Sequence, residues 1–320
     1  MRPIFHVPGQ GSFALLMGII SGTPVGAKIV TDFRIQGIVT KEEAERLLAF
    51  TNNSGPLFII GTVGISLLGD TITGFLLLGT HILACLSVGF LFRFWKYTKP
   101  IHHYPQSSSC SSTNKQIPAT FSNLGTILSK TITDSIHTVV MIGGFIVLFS
   151  VIISICNNTH LLDGIHIILA PVFSWLGIDS CFGKPFITGI LELTNGVKQV
   201  CSIITKNVSI TTILCSFLLG FGGISIGLQV FSITSQTDIS IKPYFLGKLL
   251  QGCFASFYTF LLLKTVPFLN LDLQPVFSSI AQRLEIPTSF SSLPLFSCCL
   301  LIFILIWYGK IFLIKKKKLA

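Results

Sequence analysis

The chain has 320 residues, of which 50% are hydrophobic and only 11% are charged, and its mean hydropathy is +0.77. A soluble domain carries about 25% charged residues, so this composition excludes an ordinary soluble protein and indicates an integral membrane protein. The formal net charge is +10, but the basic residues lie in loops and in a C-terminal lysine run. Membrane topology explains that charge, so we expect the lipid bilayer and not a nucleic acid as the partner.

The first predicted element is a re-entrant hairpin over residues 11–30. Its sequence, GSFALLMGIISGTPVGAKIV, is apolar at first and is then broken at residues 21–24. A broken segment of this kind is tolerated in a membrane only where protein or a watery cavity covers it. Thr23 lies at the predicted tip, where free backbone N–H groups and helix dipoles favour a polar ligand. Thr23 is therefore a candidate substrate-binding residue.

Residues 40–48, TKEEAERLL, predict a short amphipathic helix. Thr40 is followed three residues later by Glu43, the spacing of a capping box. We expect this helix to lie on the cytoplasmic membrane interface.

The next stretch, AFTNNSGPLFIIGT, begins a predicted span over residues 50–69 but contains six consecutive residues that disfavour a helix interior. It predicts either a loop or the unwound middle of a span, and the internal match described below favours the second. Polar side chains in an unwound span offer hydrogen-bond donors and acceptors to a solute; the alternative is polar contact between helices. The candidate substrate-binding residues here are Asn52, Asn53 and Ser54.

Five further apolar blocks approach the roughly 20 residues that cross a bilayer. With residues 50–69 they predict about six transmembrane helices; the blocks are 72–91, 133–155, 210–231, 244–263 and 293–314. A Ser-rich segment over 105–118 predicts a flexible cytoplasmic linker. The predicted organisation is a first repeat (1–95), a linker (96–132), a second repeat (133–264) and a C-terminal region (265–320) with an outer loop, the last span and a basic tail.

The second repeat holds an amphipathic stretch over 161–176 and a second predicted hairpin over 183–204, broken at residues 192–196. Glu192 is the only acid in either hairpin, and an intramembrane carboxylate indicates function because it is costly there. It is a candidate ligand for a coupling Na+ or H+, or for a solute hydroxyl. The alternative is an ion pair with Lys184 or Lys198. The other candidate substrate-binding residues at this tip are Thr194 and Asn195.

The two hairpins are related in sequence. TPVGAKIV (23–30) aligns with LTNGVKQV (193–200), and Phe50 with Ser54 matches Phe221 with Ser225 at nearly the same offset. A hairpin followed by a broken span therefore occurs twice, and Ser225 and Gln229 on the second broken span join the candidate site. The alternative is that Gly and Pro merely kink ordinary spans.

The distribution of Lys and Arg predicts that both termini of this chain are cytoplasmic. Lys242 and Lys248 are counted near the inner turn over 232–248. The hairpins then enter from opposite sides, which predicts an inverted-topology repeat, the architecture of many secondary transporters. The second hairpin is preceded by a full span and the first by only about ten residues, so we expect an N-terminal span to be missing.

The sequence contains one match to a hydrolase motif, and it carries no enzymatic function. GISIG (223–227) fits G-x-S-x-G, but no histidine follows residue 166, so a chain-ordered Ser, acid and His triad is excluded. The nine cysteines include no C-x-x-C pair. We expect no enzymatic activity, no metal site and no cofactor.

Residues 21–64, with GILELTNG (189–196) and GFGGISIG (220–227), closely resemble the YlbJ-type sporulation integral membrane proteins, which belong to the nucleoside-recognition (Gate) family. The resemblance covers almost the whole chain. It implies a multi-pass cell-membrane protein of the sporulating mother cell, needed for spore cortex formation. More distantly, the hairpins resemble those of concentrative nucleoside transporters, but the first tip lacks Gln or Glu.

These observations predict an all-α polytopic membrane protein with two re-entrant hairpins. We expect a transporter or permease of a small polar solute that works by alternating access, with Glu192 or broken-helix carbonyls holding the coupling ion. The alternative is a non-transporting membrane scaffold for spore-envelope assembly. A homo-oligomer is compatible with either function.

Overall fold

The computed structural model describes residues 1–96, 124–203 and 208–265. Every regular element within those ranges is helical, which confirms the predicted all-helical class. The predicted linker over 105–118 and the predicted last span over 293–314 lie outside the described residues.

Over residues 1–96 the chain forms five α-helices and one π-helix. They are α1 (Arg2–Phe5), α2 (Gly11–Ser21), α3 (Val25–Ile35), α4 (Lys41–Thr51), the π-helix (Leu57–Leu67) and α5 (Thr71–Phe92). The second half forms seven α-helices and one 3-10 turn (Ser180–Phe182) within the described residues. They are α6 (Leu124–Asn158), α7 (Leu161–Trp175), α8 (Gly183–Leu191), α9 (Leu193–Ser202), α10 (Val208–Phe221), α11 (Gly223–Thr234) and α12 (Lys242–Thr265).

Four stretches of the described chain are long and apolar enough to cross a membrane. They are Thr71–Phe92, Leu124–Asn158, Ser209–Thr234 and Lys242–Thr265. The third of these comprises α10 and α11, which meet at Gly222. The predicted span over 50–69 is not one continuous helix, because α4 ends at Thr51 and the π-helix begins only at Leu57. The total of about six spans stays a prediction.

Two helical hairpins are built on close glycine contacts. In the first, α2 and α3, a Cβ added at Gly18 would lie 3.5 Å from the Cα of Gly26. In the second, α8 and α9, a Cβ at Gly196 would overlap the backbone of Gly189. Only glycine therefore fits between the arms of the second hairpin, whereas in the first hairpin a Cβ at Gly18 or Gly26 would overlap the carbonyl of Thr51 at the end of α4.

Helix α4 begins with the predicted capping box: the amide of Glu43 donates to Thr40 Oγ1 (3.2 Å), and the amide of Thr40 donates to Glu43 Oε2 (2.9 Å). However, α4 is a core helix of the protein, and its predicted position at the membrane interface stays a prediction. Its residues from Ala44 to Thr51 are all buried, and it packs against α2, α3, α5 and α12. Two charges of this helix are buried with partners: Glu45 accepts from Lys96 Nζ at 3.2 Å, and Arg46 donates to the carbonyl of Trp95 at 2.9 Å.

One end of the molecule is held together by ionic contacts between the two halves of the chain. The guanidinium of Arg34 donates to both oxygens of Asp238, at 2.8 and 3.0 Å. The backbone amide of Ser240 donates to Glu45 Oε1 at 3.3 Å. These contacts fasten α3 and α4 to the turn between α11 and α12. The sequence assigns this end to the cytoplasm, and that orientation stays a prediction.

The contact between Arg34 and Asp238 is expected to make stability pH-dependent. The hydrogen bonds from Arg34 hold the pKa of the Asp238 carboxyl below its ordinary value of 3.8. Because the folded pKa is the lower one, the stabilisation is present above pH 4 and is lost as the pH falls through the folded pKa. Both side chains are partly exposed, so we expect the contact to stabilise the fold by at most about 1 kcal/mol.

This expectation is checked by comparing the melting temperature of the purified protein with that of Asp238→Asn. The variant is expected to be less stable at pH 7, and the difference is expected to be smaller at pH 3. An equal difference at both pH values would show that the carboxylate is not the cause.

Helix α12 lies at the centre of the fold, where it packs against α4, α5 and α10. It therefore contacts both halves of the chain. Helix α6, by contrast, is largely exposed, because only 11% of its most apolar 18-residue stretch is buried.

Candidate functional site

Two interruptions in helical structure lie side by side in the core. The first covers Asn52 to Gly55, between α4 and the π-helix. The second is at Gly222 and Gly223, whose φ angles of 84° and 82° separate α10 from α11. The hydroxyl of Ser54 donates to the carbonyl of Leu219 at 3.3 Å, which joins the two interruptions directly. The polar backbone of both is thus gathered at one place.

Each hairpin tip packs against the interruption in its own half. A Cβ at Gly22, in the first tip, would lie only 2.9 Å from the amide nitrogen of Gly55. A Cβ at Gly223 would lie 3.2 Å from the amide nitrogen of Leu193, in the second tip. The two tips therefore cover the two interruptions through close backbone contacts.

Lys248 of α12 reaches between the interruptions. Its Nζ donates to the carbonyl of Asn52 at 3.1 Å and to Oε1 of Gln251 at 2.8 Å. Its Cε lies 3.6 Å from where a Cβ would be at Gly222. The residue is only 2% exposed, and no carboxylate of the described residues lies within 4.0 Å of Nζ. The sequence counts Lys248 near the inner turn and also places it in the predicted span 244–263; in the structure it lies inside α12.

A network of side-chain amides surrounds Lys248. Nε2 of Gln251 donates to Oδ1 of Asn53 at 2.7 Å and lies 3.4 Å from Nε2 of His81. Asn53 Nδ2 in turn donates to the carbonyl of Phe50 at 2.9 Å. We call the following set the Lys248 cluster: Asn52, Asn53, His81, Cys85, Tyr244, Lys248 and Gln251.

The remaining members attach to the same network. Asn52 Nδ2 donates to the hydroxyl of Tyr244 at 3.3 Å. The thiol of Cys85 lies 3.3 Å from Asn53 Nδ2 and donates to the carbonyl of Phe50 at 3.0 Å. Every member of the Lys248 cluster is buried.

Some buried polar atoms near the interruptions have no hydrogen-bond partner. They include Oδ1 of Asn52 and Nδ1 of His81 within the Lys248 cluster, and Oγ of Ser225 and Oε1 of Gln229 on α11. A buried polar atom without a partner costs about 1–3 kcal/mol. Such atoms mark positions where a solute or a water molecule would be bound.

Glu192 caps the N-terminus of α9 at the second tip. Its Oε1 accepts from the amide of Thr194 at 2.9 Å, and its Oε2 accepts from the amide of Asn195 at 2.7 Å. The predicted alternative, an ion pair with Lys184 or Lys198, does not form in the structure: Lys184 pairs with Asp163 instead. Whether the carboxylate also holds an ion or a solute stays a prediction.

The other predicted site residues are distributed around the cluster. Thr23 is half-buried in the turn between α2 and α3, and Thr194 is exposed. Asn195 Nδ2 donates to the hydroxyl of Ser150 on α6 at 2.9 Å, so it ties the second tip to that helix. The structure therefore unites Asn52 and Asn53 with the Lys248 cluster and places the hairpin-tip residues outside it.

The sequence reasoning missed the α5 and α12 members of the cluster. Lys248 and Gln251 are three residues apart, so they share one face of α12. Lysine is rare inside a membrane span and marks a functional site there, so Lys248, inside the predicted span 244–263, was a usable signal. His81, inside the predicted span 72–91, was a second.

The cluster offers groups that can bind a polar solute. It offers one ammonium group, an imidazole and several amide groups, which together orient a polar solute. Across the described ranges, no group of three or more His, Cys, Asp or Glu residues is placed to hold a metal ion.

Comparison with known proteins gives two matches. The family model described as nucleoside recognition, Gate, matches residues 139–238, which include both arms of the second hairpin and α11. The sporulation integral membrane protein YlbJ of Bacillus subtilis (strain 168) is 37% identical over 278 residues, covering 82% of this chain and 66% of that relative. The chain thus spans just under two thirds of the relative's length. No solved structure matches the chain.

The helical fold and these matches define an integral membrane protein with a Gate nucleoside-recognition region. The chain belongs to the family of YlbJ-type sporulation integral membrane proteins. This confirms the resemblance carried by residues 21–64 and by the two shorter motifs.

Proposed function

We propose that this protein carries a small polar solute across the cell membrane by alternating access. The observation that supports the proposal is the burial of the Lys248 cluster at the meeting point of two broken helices, beneath two hairpin tips. Asn53 and Gln251 are 0% exposed, so a solute reaches them only if a covering element moves. Transporters built on discontinuous helices bind their substrates at such interruptions.

We further propose that the two halves of the chain form an inverted repeat, distantly like concentrative nucleoside transporters. The order of elements supports this, because each half runs from a glycine-packed hairpin to a broken helix and then to a long helix. The matching glycines, Gly26 and Gly196, both lie at close backbone contacts. In an inverted repeat the two tips would cover the site from opposite faces.

The biological setting follows from the family. We propose that the protein acts in the mother-cell membrane during sporulation, with both termini of this chain in the cytoplasm, and that its transport is needed for spore cortex formation. The carbonyl of Asn52 already accepts a hydrogen bond from Lys248 Nζ. A coupling Na+ or H+ is therefore proposed at Glu192 rather than at that carbonyl.

One observation favours the second candidate, a non-transporting membrane scaffold. Helix α6 has 35 residues, a length of about 52 Å at 1.5 Å per residue, and almost all of its apolar surface is exposed. A scaffold would use such a surface to contact partner helices. In that function the Lys248 cluster would only hold α4, α5 and α12 together.

Cys85 provides a native reporter of access to the cluster. It is 0% exposed, so a static scaffold keeps it unreactive. Alternating access predicts that a membrane-impermeant maleimide labels Cys85 from both faces, measured in right-side-out and inverted vesicles. The protein would carry Cys85 as its single cysteine.

Two matched single-cysteine variants control for this measurement. Cys181 is exposed and is expected to label from one face only, while Cys215, which is 0% exposed on α10, is expected to label from neither. If Cys85 remains as unreactive as Cys215 on both faces, transport by this cluster is ruled out and the scaffold is favoured.

A further inference from the structure

We propose that the solute bound by the Lys248 cluster carries a carboxylate or phosphate group, which becomes the counterion of Lys248. This inference rests on the proposed function, because it specifies the chemical class of solute that the buried cluster receives. It is argued from the charge balance and from the unmatched hydrogen-bonding atoms of the cluster.

The ammonium group of Lys248 has neutral partners only. It donates to the carbonyl of Asn52 and to Oε1 of Gln251, whereas an ammonium has three N–H donors. Buried charges in proteins are normally paired with an opposite charge. In the described part of the chain no acidic side chain is close enough to do this. One N–H donor and one positive charge are therefore left without a match.

Helix ends of both signs meet at Lys248. Helix α11 begins at Gly223, next to the Gly222 position that Lys248 Cε approaches, whereas α10 ends at Phe221 and α4 ends at Thr51. The N-terminus of a helix carries the positive end of its dipole and the C-terminus the negative end, so the helix ends do not replace a counterion. The preference for an anion comes from the ammonium group and from the unmatched donors around it.

His81 supplies a second unmatched donor. Because Lys248 can only donate, Oε1 of Gln251 must face it, and Nε2 of Gln251 must face Asn53 and His81. The amide N–H then donates to Nε2 of His81, which must be the unprotonated nitrogen of the ring. The ring proton is therefore on Nδ1, a buried atom without a partner. This N–H also requires an acceptor.

Asn52 provides an unmatched acceptor, whereas Lys248 and His81 provide unmatched donors. Its Oδ1 is a buried acceptor without a partner, while its carbonyl already accepts from Lys248. A solute that places an acidic group against Lys248 and His81 would satisfy Asn52 with an adjacent hydroxyl or amine. The predicted class is a small acid that carries a neighbouring hydrogen-bond donor.

The test measures the melting temperature of the purified full-length protein in detergent. The probes are lactate, inorganic phosphate and 1,2-propanediol, all at constant ionic strength set with sodium chloride. Propanediol is the control, because it keeps the hydroxyl of lactate and lacks its charge. We expect lactate or phosphate to raise the melting temperature saturably by at least about 2 °C, and propanediol to leave it unchanged.

Three variants assign the effect to Lys248. Lys248→Met is expected to abolish the shift, whereas Lys264→Gln, an exposed lysine on the same helix, is expected to retain it. Asn52→Asp places a carboxylate on the residue that already contacts Lys248. In chloride buffer the melting temperature of Asn52→Asp is expected to be no lower than that of the wild type. Lactate and phosphate are expected not to raise it further, because the new carboxylate provides the counterion of Lys248.

The outcomes separate this inference from the proposed function. The inference of an anionic solute is overturned if no anion raises the melting temperature of the wild type. It is also overturned if Asn52→Asp shows the full anion-induced rise. The second result decides the question even if Lys248→Met fails to fold. Labelling of Cys85 from both faces with no response to either anion would leave transport standing and assign it to an uncharged solute. A shift by anions with an unreactive Cys85 would instead retain the anion site and reject transport.

Discussion

Gln251→Leu is expected to lower the free energy of unfolding by about 2–4 kcal/mol, the largest stability loss of any single substitution proposed for this protein. The Gln251 amide accepts from Lys248 and donates to Asn53 at 2.8 and 2.7 Å. Leucine fills a similar volume but leaves a buried ammonium with one acceptor and a buried amide oxygen with no donor. Hydrogen bonds between membrane helices average only about 0.6 kcal/mol. Most of the expected loss therefore comes from leaving the buried ammonium group of Lys248 with too few acceptors.

The loss is measured by unfolding the purified protein with increasing mole fractions of SDS in mild detergent. Gln236→Leu is the matched control, because it makes the same chemical change at an exposed position in the turn before α12. The control is expected to change the free energy by less than about 0.5 kcal/mol. Equal losses in the two variants would mean that the network around Lys248 does not stabilise the fold.

A second consequence separates stability from binding. Gln251→Glu would give Lys248 a carboxylate partner but would place an acceptor against Oδ1 of Asn53. The anion-induced rise in melting temperature is therefore expected to disappear in Gln251→Glu while the protein still folds. This result would link the network to the inferred counterion of Lys248.

The helical class and the polar interruption at Asn52 and Asn53 were predictable from local sequence. Apolar runs of spanning length indicate helices in a membrane, and consecutive residues that disfavour helix identify an interruption without any tertiary information. The capping box of Thr40 and Glu43 is equally local, and the structure contains it.

The position of α4 and the membership of the Lys248 cluster were not predictable in this way. An amphipathic pattern reports only that one face is polar, and in α4 that face is covered by Trp95, Lys96 and the turn at Ser240. The cluster joins the interruption after α4 to α5 and α12, and one of its hydrogen bonds, between Gln251 and Asn53, links residues 198 positions apart. Such contacts depend on tertiary packing, which a single sequence does not encode in any local pattern.

The contacts of Glu192 have a close counterpart elsewhere in the fold, at Asp70. The sequence indicates a functional carboxylate, and the structure shows both oxygens engaged with the backbone amides two and three residues further on. Asp70 makes the same contacts at the start of α5, to the amides of Ile72 and Thr73 at 3.3 and 2.8 Å. The two acids therefore share the backbone contacts of a helix cap. They differ in their position relative to the hairpin tips and in that Asp70 also accepts from the hydroxyl of Thr73.

Glu192→Gln is expected to abolish the formation of heat-resistant spores in a strain that lacks the wild-type protein, whereas Asp70→Asn is expected to support it. Each change keeps one acceptor oxygen and removes the negative charge at a helix N-terminus, so each should cost about 0.5–1.5 kcal/mol of stability. Spore counts, protein levels and melting temperatures of both variants provide the measurement. Equal stability with unequal function would mean that the charge of Glu192 does more than cap α9, as a coupling-ion ligand must. Equal function in both variants would restrict Glu192 to capping, and the coupling ion would then have to bind elsewhere.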